Sequence, residues 1–247
     1  MAGFYGKLPA KGDFLSRNLP RDFVDAWDEW LQAGMNASRQ ALGEAWLQTY
    51  LTSPLWRYVL PPGICGASAW ASVLMPSMDK VGRYFPMTVA VQLTEPVSAV
   101  MIATNSQSWF EAVESCLLDA LDDESLDLDT FDEQLQTFIV DQAPDNRVEI
   151  SGFVDQGVHL PLNDTLDVSA ALVGVAAVTI DEMIDRCSVW WGQGSERVSP
   201  SWVVCRGLPA SGKFPAMLDG NWSAHGWSDR AAPVTGDAPI AMELAAD

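Results

Sequence analysis

The sequence is short of positive charge: 14 Lys and Arg stand against 33 Asp and Glu, giving a formal net charge of −19 and a pI of about 4.2. Duplex binding depends on Lys and Arg displacing condensed counterions, so nucleic acid is excluded as a partner, and anionic membrane is a poor one. Histidine is scarcer still. His159 and His225 stand alone, which leaves no cluster from which a metal site could be built. The four cysteines, Cys65, Cys116, Cys187 and Cys205, form no Cys-x-x-Cys pair, so neither a zinc site nor a disulfide framework is indicated and free thiols are expected. No basic region followed by an apolar run opens the chain, hence no signal peptide is expected. The most apolar window, Val168 to Ile180, has 13 residues, whereas a membrane-spanning helix needs about 20. These absences point to a cytoplasmic protein with no cofactor and no membrane insertion.

Apolar material is plentiful. Hydrophobic residues make up 48% of the 247 and Trp alone numbers 11, which no disordered chain carries. The charge is also uneven. Residues 1–83 hold 8 Lys and Arg against 7 Asp and Glu, and residues 84–247 hold 6 against 26. Only the N-terminal third has a local chance of binding an anion.

From Leu19, "LPRDFVDAWDEWLQAGM" places Phe23, Trp27, Trp30, Leu31 and Gly34 on one stripe, the spacing of an amphipathic helix with Pro20 in its first turn. A second helical run is expected over about 36–51. The stretches "WRYVL", "CGASAWASVLM" and "YFPMTVAVQL" are bounded by Pro and Gly and read as three strands with connections too short for helical crossovers. Trp109, Val113, Cys116, Leu117 and Ala120 return to helical spacing, and "TFDE" suggests a capping box begun by Thr130. Residues 164–186 read as a buried helix, "CSVWWGQG" and "SWVVCRG" as two strands, and "KFPAMLDG" as a short helix stopped at Gly220. The paired Trp190 and Trp191 are expected one in the core and one at the surface. The fold class is therefore α/β in the broad sense (α+β), with a mixed, largely antiparallel sheet and helices packed on it. One domain spans residues 1–220, followed by a loosely ordered tail over 221–247.

Two polar stretches are candidates for chemistry. "GFYGKLPAKGDF" brings Lys7, Lys11 and Asp13 among glycines, yet it meets neither the G-x-x-x-x-G-K-[ST] nor the G-x-G-x-x-G requirement. "PSMDKVGRYFP" sets Ser77, Asp79, Lys80 and Arg83 within seven residues. A nucleophilic Ser77 would need a distant histidine and has no G-x-S-x-G elbow. The structural reading is a turn: Ser77 and Asp79 bond the backbone, Gly82 takes φ > 0, and Arg83 pairs with a carboxylate. Between Tyr84 and Asn146 there are 13 acidic residues and no Lys or Arg. An EF-hand would need a central glycine that is missing, so a solvated acidic helix pair, or a docking face for a basic partner, is expected there.

"GFYGKLPAKGDFLSRNLPRDFVDAWDEWLQ" resembles the opening of the TagF (ImpM) proteins of bacterial type VI secretion, and "LPPGICGASAWASVLMPSMDKVGRYFPMTV" resembles their second signature. "SVWWGQG" and "VVCRGLP" also fit. The resemblance implies an accessory protein, not an enzyme, that represses secretion after translation by binding protein, through a forkhead-associated (Fha) scaffold. It supplies no catalytic residue. The candidate interaction residues are Lys7, Lys11, Asp13, Arg17, Ser77, Asp79 and Arg83. The rival expectation is a small-molecule-binding or hydrolytic site formed where the 7–13 and 77–83 motifs share one pocket.

Overall fold

The computed structural model describes residues 1–94, 98–141, 171–176, 179 and 187–228. Its centre is a seven-stranded sheet: β1 (Ala2–Gly6), β2 (Leu15–Arg17), β3 (Trp56–Leu60), β4 (Ala69–Met75), β5 (Met87–Leu93), β6 (Cys187–Gly192) and β7 (Ser201–Arg206). The spatial order is β2-β1-β5-β4-β3-β6-β7. Every pairing between the described strands is antiparallel, with one isolated parallel bridge between Cys187 and Gly207 beside the β6–β7 pair, as the largely antiparallel expectation has it. Among the described residues, six helices with defined bounds accompany the sheet: α1 (Arg21–Leu42), α2 (Trp46–Leu51), α3 (Ala99–Asn105), α4 (Gln107–Asp122), α5 (Leu128–Thr137) and α6 (Ala216–Asp219).

Strand alternation divides the side chains between two cores. Trp56, Tyr58, Leu60, Trp70, Leu74, Ala90 and Trp190 face α1, α2 and α6. Val59, Ala71, Val73, Met75, Val89, Val91, Val189 and Trp191 face α3, α4 and α5. Both faces are covered, which is why the strands read as nearly unbroken apolar runs. The same fact corrects the expectation for the tryptophan pair: Trp190 and Trp191 are both buried, one in each core.

Helix α1 lays Phe23, Trp27, Trp30, Leu31 and Gly34 on the sheet as its spacing predicts, and its stripe continues to Met35 and Ser38. Trp27 stacks on Tyr58 at 4.8 Å and Phe23 sits 4.5 Å from Trp70. The Trp27 indole donates to Thr88 Oγ1 at 2.8 Å, so its one polar atom is satisfied inside the core. The helix runs on to Leu42 rather than yielding to a second helix at residue 36. Gly43, at φ 52°, breaks it, and α2 follows one 3-10 turn later.

Helix α5 starts earlier than "TFDE" implies. Asp127, not Thr130, is the cap: its Oδ1 accepts the amides of Asp129 and Thr130 at 3.1 and 2.9 Å. Strand β2 and helix α3 are not among the expected elements; three and seven residues fall below the window in which a period can be read. The expected helix over 164–186 lies outside the described residues except at 171–176 and 179, which are helical.

Opposite α1, the buried Arg57 of β3 donates from Nε and Nη2 to the two carboxylate oxygens of Glu114 on α4, at 2.8 and 2.6 Å. The four thiols are free, and burial pushes Cys65 up to about 12 and Cys116 up to about 11. Packing continues past Gly220, where a loose tail was expected to begin: Trp222 lies edge-on to Trp56 at 6.0 Å and the Trp227 indole donates to the Lys213 carbonyl at 3.0 Å. Residues 229–247 lie outside the described residues.

Candidate functional site

Strand β1 ends at Gly6, whose φ of 136° and 2.1 Å approach of a would-be Cβ to the Pro86 carbonyl admit no side chain. Because Tyr5 pairs with Thr88 across the antiparallel β1–β5 ladder, the loop leaving β1 and the loop entering β5 emerge at the same end of the sheet. The two polar motifs therefore meet. The Lys80 amide donates to the Lys11 carbonyl at 2.9 Å, and the Ser77 hydroxyl donates to the Lys7 carbonyl at 2.7 Å.

At the centre of this apex lies Asp79, with a side chain fully out of solvent. Its Oδ2 receives Lys7 Nζ at 2.7 Å and Arg83 Nε at 2.6 Å. Its Oδ1 receives the amides of Val81 and Arg83 at 3.1 and 2.9 Å. Burial alone would raise its pKa, but these donors outweigh it and hold the carboxyl well below the usual range. Gly82, at φ 81°, turns the tip of the hairpin. The Arg83 guanidinium also reaches the Gly12 carbonyl, and Tyr50 of α2 brackets Ser77, donating to its carbonyl at 2.8 Å and accepting its amide at 2.9 Å. The turn reading of this motif thus accounts for Ser77, Asp79 and Arg83.

The arrangement brings Lys7, Ser77, Asp79 and Arg83 into one network and leaves three candidates outside it. The side chains of Lys11 and Asp13 make no hydrogen bond or ion pair among the described residues, and Asp13 is exposed. Arg17 sits on β2 and turns to α5, donating to Asp129 at 2.7 Å and lying 3.5 Å from Asp132. Among the described residues no histidine enters the network of Ser77: His225 bonds Asp219 at 2.8 Å, and His159 lies outside the described residues. Among the described residues no His, Cys, Asp and Glu are grouped to hold a metal ion, and no helix is long and apolar enough to cross a membrane.

Outward, the apex presents apolar and cationic side chains beside the exposed Asp13 carboxylate. Phe14 is 49% exposed although its ring lies 4.8 Å from Phe85 and 5.8 Å from Tyr5, and Val81 is 70% exposed. Lys80 and Arg83 are exposed beside them. Neither Phe14 nor Val81 is among the expected interaction residues. The signal for the latter was available, since an apolar residue between Lys80 and Gly82 at the tip of a turn has no core to enter.

A family model described as the TagF N-terminal domain, type VI secretion system-associated, matches residues 3–138, a span that contains both motifs. The crystal structure of PA0076 from Pseudomonas aeruginosa PAO1 superposes with a TM-score of 0.74 at 36% sequence identity, over 97% of this chain and 100% of that one. No curated protein matches.

Proposed function

The chain belongs to the TagF family of type VI secretion-associated proteins, and from that premise we propose that it is a cytoplasmic accessory regulator. It represses secretion after translation by binding a protein partner through the apex, and the partner is a forkhead-associated scaffold of the secretion system. The observation that carries the apex as the contact is that its two loops each expose an apolar side chain, Phe14 at 49% and Val81 at 70%, alongside exposed Lys80 and Arg83 and half-buried Lys11. An aromatic anchor with a cationic rim has the anatomy of a binding hot spot.

The same geometry favours binding over catalysis. Ser77 gives its hydroxyl proton to a backbone carbonyl, and Asp79 accepts four donors. The Ser77 proton and the Asp79 carboxylate are thus engaged by neighbouring protein groups rather than turned to a substrate. The close meeting of the two motifs is what a shared hydrolytic pocket would need, but here it closes the polar groups on one another.

Pull-down from cell extract tests the reading. The wild-type chain should retain the scaffold, and its deletion should raise secretion. Val81→Asp combined with Lys80→Glu should lose the scaffold with an unchanged unfolding midpoint. Capture of no partner together with unchanged secretion on deletion would sink it.

A further inference from the structure

The two edges of the sheet are built differently. Strand β2, at one edge, has three residues, and its Arg17 ties it to Asp129 and Asp132 of α5. Strand β7, at the other, pairs with β6 over six residues without a bulge, carries no charge or proline from Ser201 to Cys205, and has no described strand on its outer side. Short length, charge, proline and bulges are the devices that blunt an edge, so β7 keeps a usable row of backbone donors and acceptors. A groove of about 740 Å³ lies along it. Val203 lines this groove from the α1 side of the sheet, and Val204 and the 48% exposed Trp202 line it from the α4 side. Trp222 and Trp227 form the other wall. Three strands, β4, β3 and β6, separate β7 from β5, so this edge is a surface apart from the apex.

The tryptophan wall is anchored to the core. Trp222 lies edge-on to Trp56 of β3 at 6.0 Å, Trp227 lies 5.5 Å from Trp222, and the Trp227 indole donates to the Lys213 carbonyl at 3.0 Å. A preformed wall spares a ligand the cost of ordering it. The charge around the groove selects the ligand. Residues 187–228 hold three Lys and Arg against two Asp and Glu, in a chain that holds 14 against 33. Of those two carboxylates, Asp219 is bonded by His225 at 2.8 Å. Arg197, in the groove wall, and Arg206, at the end of β7, are exposed and form no ion pair among the described residues. A second copy fits less well: antiparallel pairing of two β7 strands about a two-fold axis would bring the second tryptophan wall onto the same face, into the space of the first.

We propose that the β7 edge binds an extended acidic segment of a protein partner as an added strand, with apolar side chains of one parity on Trp222 and Trp227 and carboxylates near Arg197 and Arg206. Backbone pairing supplies the affinity, and the two arginines select the charge of the segment. The edge is thus a second protein contact, independent of the apex.

A capped, fluorescein-labelled peptide, Asp-Ile-Thr-Ile-Thr-Ile-Asp, added to the full chain tests this by anisotropy. It should saturate the chain below about 1 mM, the weak end of specific affinity, and slow amide exchange over Trp202–Arg206 while β1 keeps its rate. Replacing its aspartates by lysine should weaken binding roughly tenfold or more, and Arg197→Glu with Arg206→Glu should reverse that order. Alternate amides of a strand point to opposite sides, so N-methylating the isoleucines and N-methylating the threonines should differ: one abolishes binding and the other leaves it within about threefold. The apex variant Val81→Asp with Lys80→Glu should bind the peptide as the wild type does. The proposal is overturned if the full chain binds no peptide, if the aspartate and lysine forms bind alike, if the arginine reversal leaves their order unchanged, or if both N-methylated forms bind alike. Loss of the peptide in the apex variant, or binding without slowed exchange in β7, places the contact elsewhere and overturns it too. Protection of β7 that rises with protein concentration and resists the peptide assigns the edge to a second copy and overturns it equally.

Discussion

Lys7 and Lys11 stand four positions apart in one loop and do different work. Lys7 is buried with Asp79, whereas the Lys11 side chain makes no hydrogen bond or ion pair among the described residues. Removing one member of a buried pair leaves the other charge uncompensated, which is far costlier than removing both. Lys7→Met is therefore expected to lower the unfolding midpoint strongly, Lys7→Met with Asp79→Asn to recover part of the loss, and Lys11→Glu to leave the midpoint in place. The pH dependence follows from the depressed carboxyl. A group whose folded pKa lies below its unfolded value adds stability that is complete above the unfolded pKa, about 3.9 for Asp, and is lost as pH falls toward the folded one. Denaturant titrations from pH 7 down to 2 should show the wild type losing stability below about pH 4. Asp79→Asn should be less stable at pH 7 and lose less over that same interval. Parallel curves for the two chains would remove Asp79 as the source.

At the scale of elements, α1 is held by aromatic contact and by one close approach. A Cβ on Gly34 would come within 2.8 Å of the Phe214 ring, so helix and ring meet where no larger residue fits. Gly34→Ala gains helix propensity of about 1 kcal/mol, but overpacking costs about 1 to 3 kcal/mol and should prevail. Trp27→Ala, which empties a fully buried site, should cost about 3 to 5 kcal/mol. Chemical denaturation separates the two, and a stabilised Gly34→Ala would mean that Phe214 moves freely. The stripe on α1 was legible because it repeats over several turns, and β3 over Trp56–Leu60 because Pro and Gly bound an apolar run. The cap of α5 was misread because Asp127 and Thr130 are both good capping residues three positions apart, and only backbone direction chooses between them. The apex was half legible. The residues of the Asp79 turn could be named, but the loop from Gly6 meets them only through the β1–β5 pairing, 70 residues away in sequence. Burial of Lys7 and exposure of Val81 depend on that non-local register.

Over the whole molecule, the basic apex and the acidic helices are neighbours, not opposite poles. Lys11 is near enough to Asp127 to help hold that carboxyl low, after the larger effect of the Thr130 amide and hydroxyl, and Arg17 ties β2 to Asp129 and Asp132. A partner meeting the apex thus approaches a cationic patch set against an anionic surround, and long-range repulsion or attraction depends on which one it feels. Exposed charges separated by more than about 10 Å are screened at 0.1 M salt, and rim charges act chiefly on the association rate. If the apex is the contact, the association rate with the scaffold should fall as salt rises. Lys80→Glu should slow association and flatten that dependence, while neutralising the exposed Glu111, Asp119 and Asp122 of α4 should leave the slope unchanged or raise the rate at low salt. Stopped-flow measurement from about 0.05 to 0.5 M salt distinguishes the two faces, since this range carries the screening length from roughly 14 Å to 4 Å. A slope abolished by the α4 variants and untouched by Lys80→Glu would move the contact to the acidic helices and remove the apex from the mechanism.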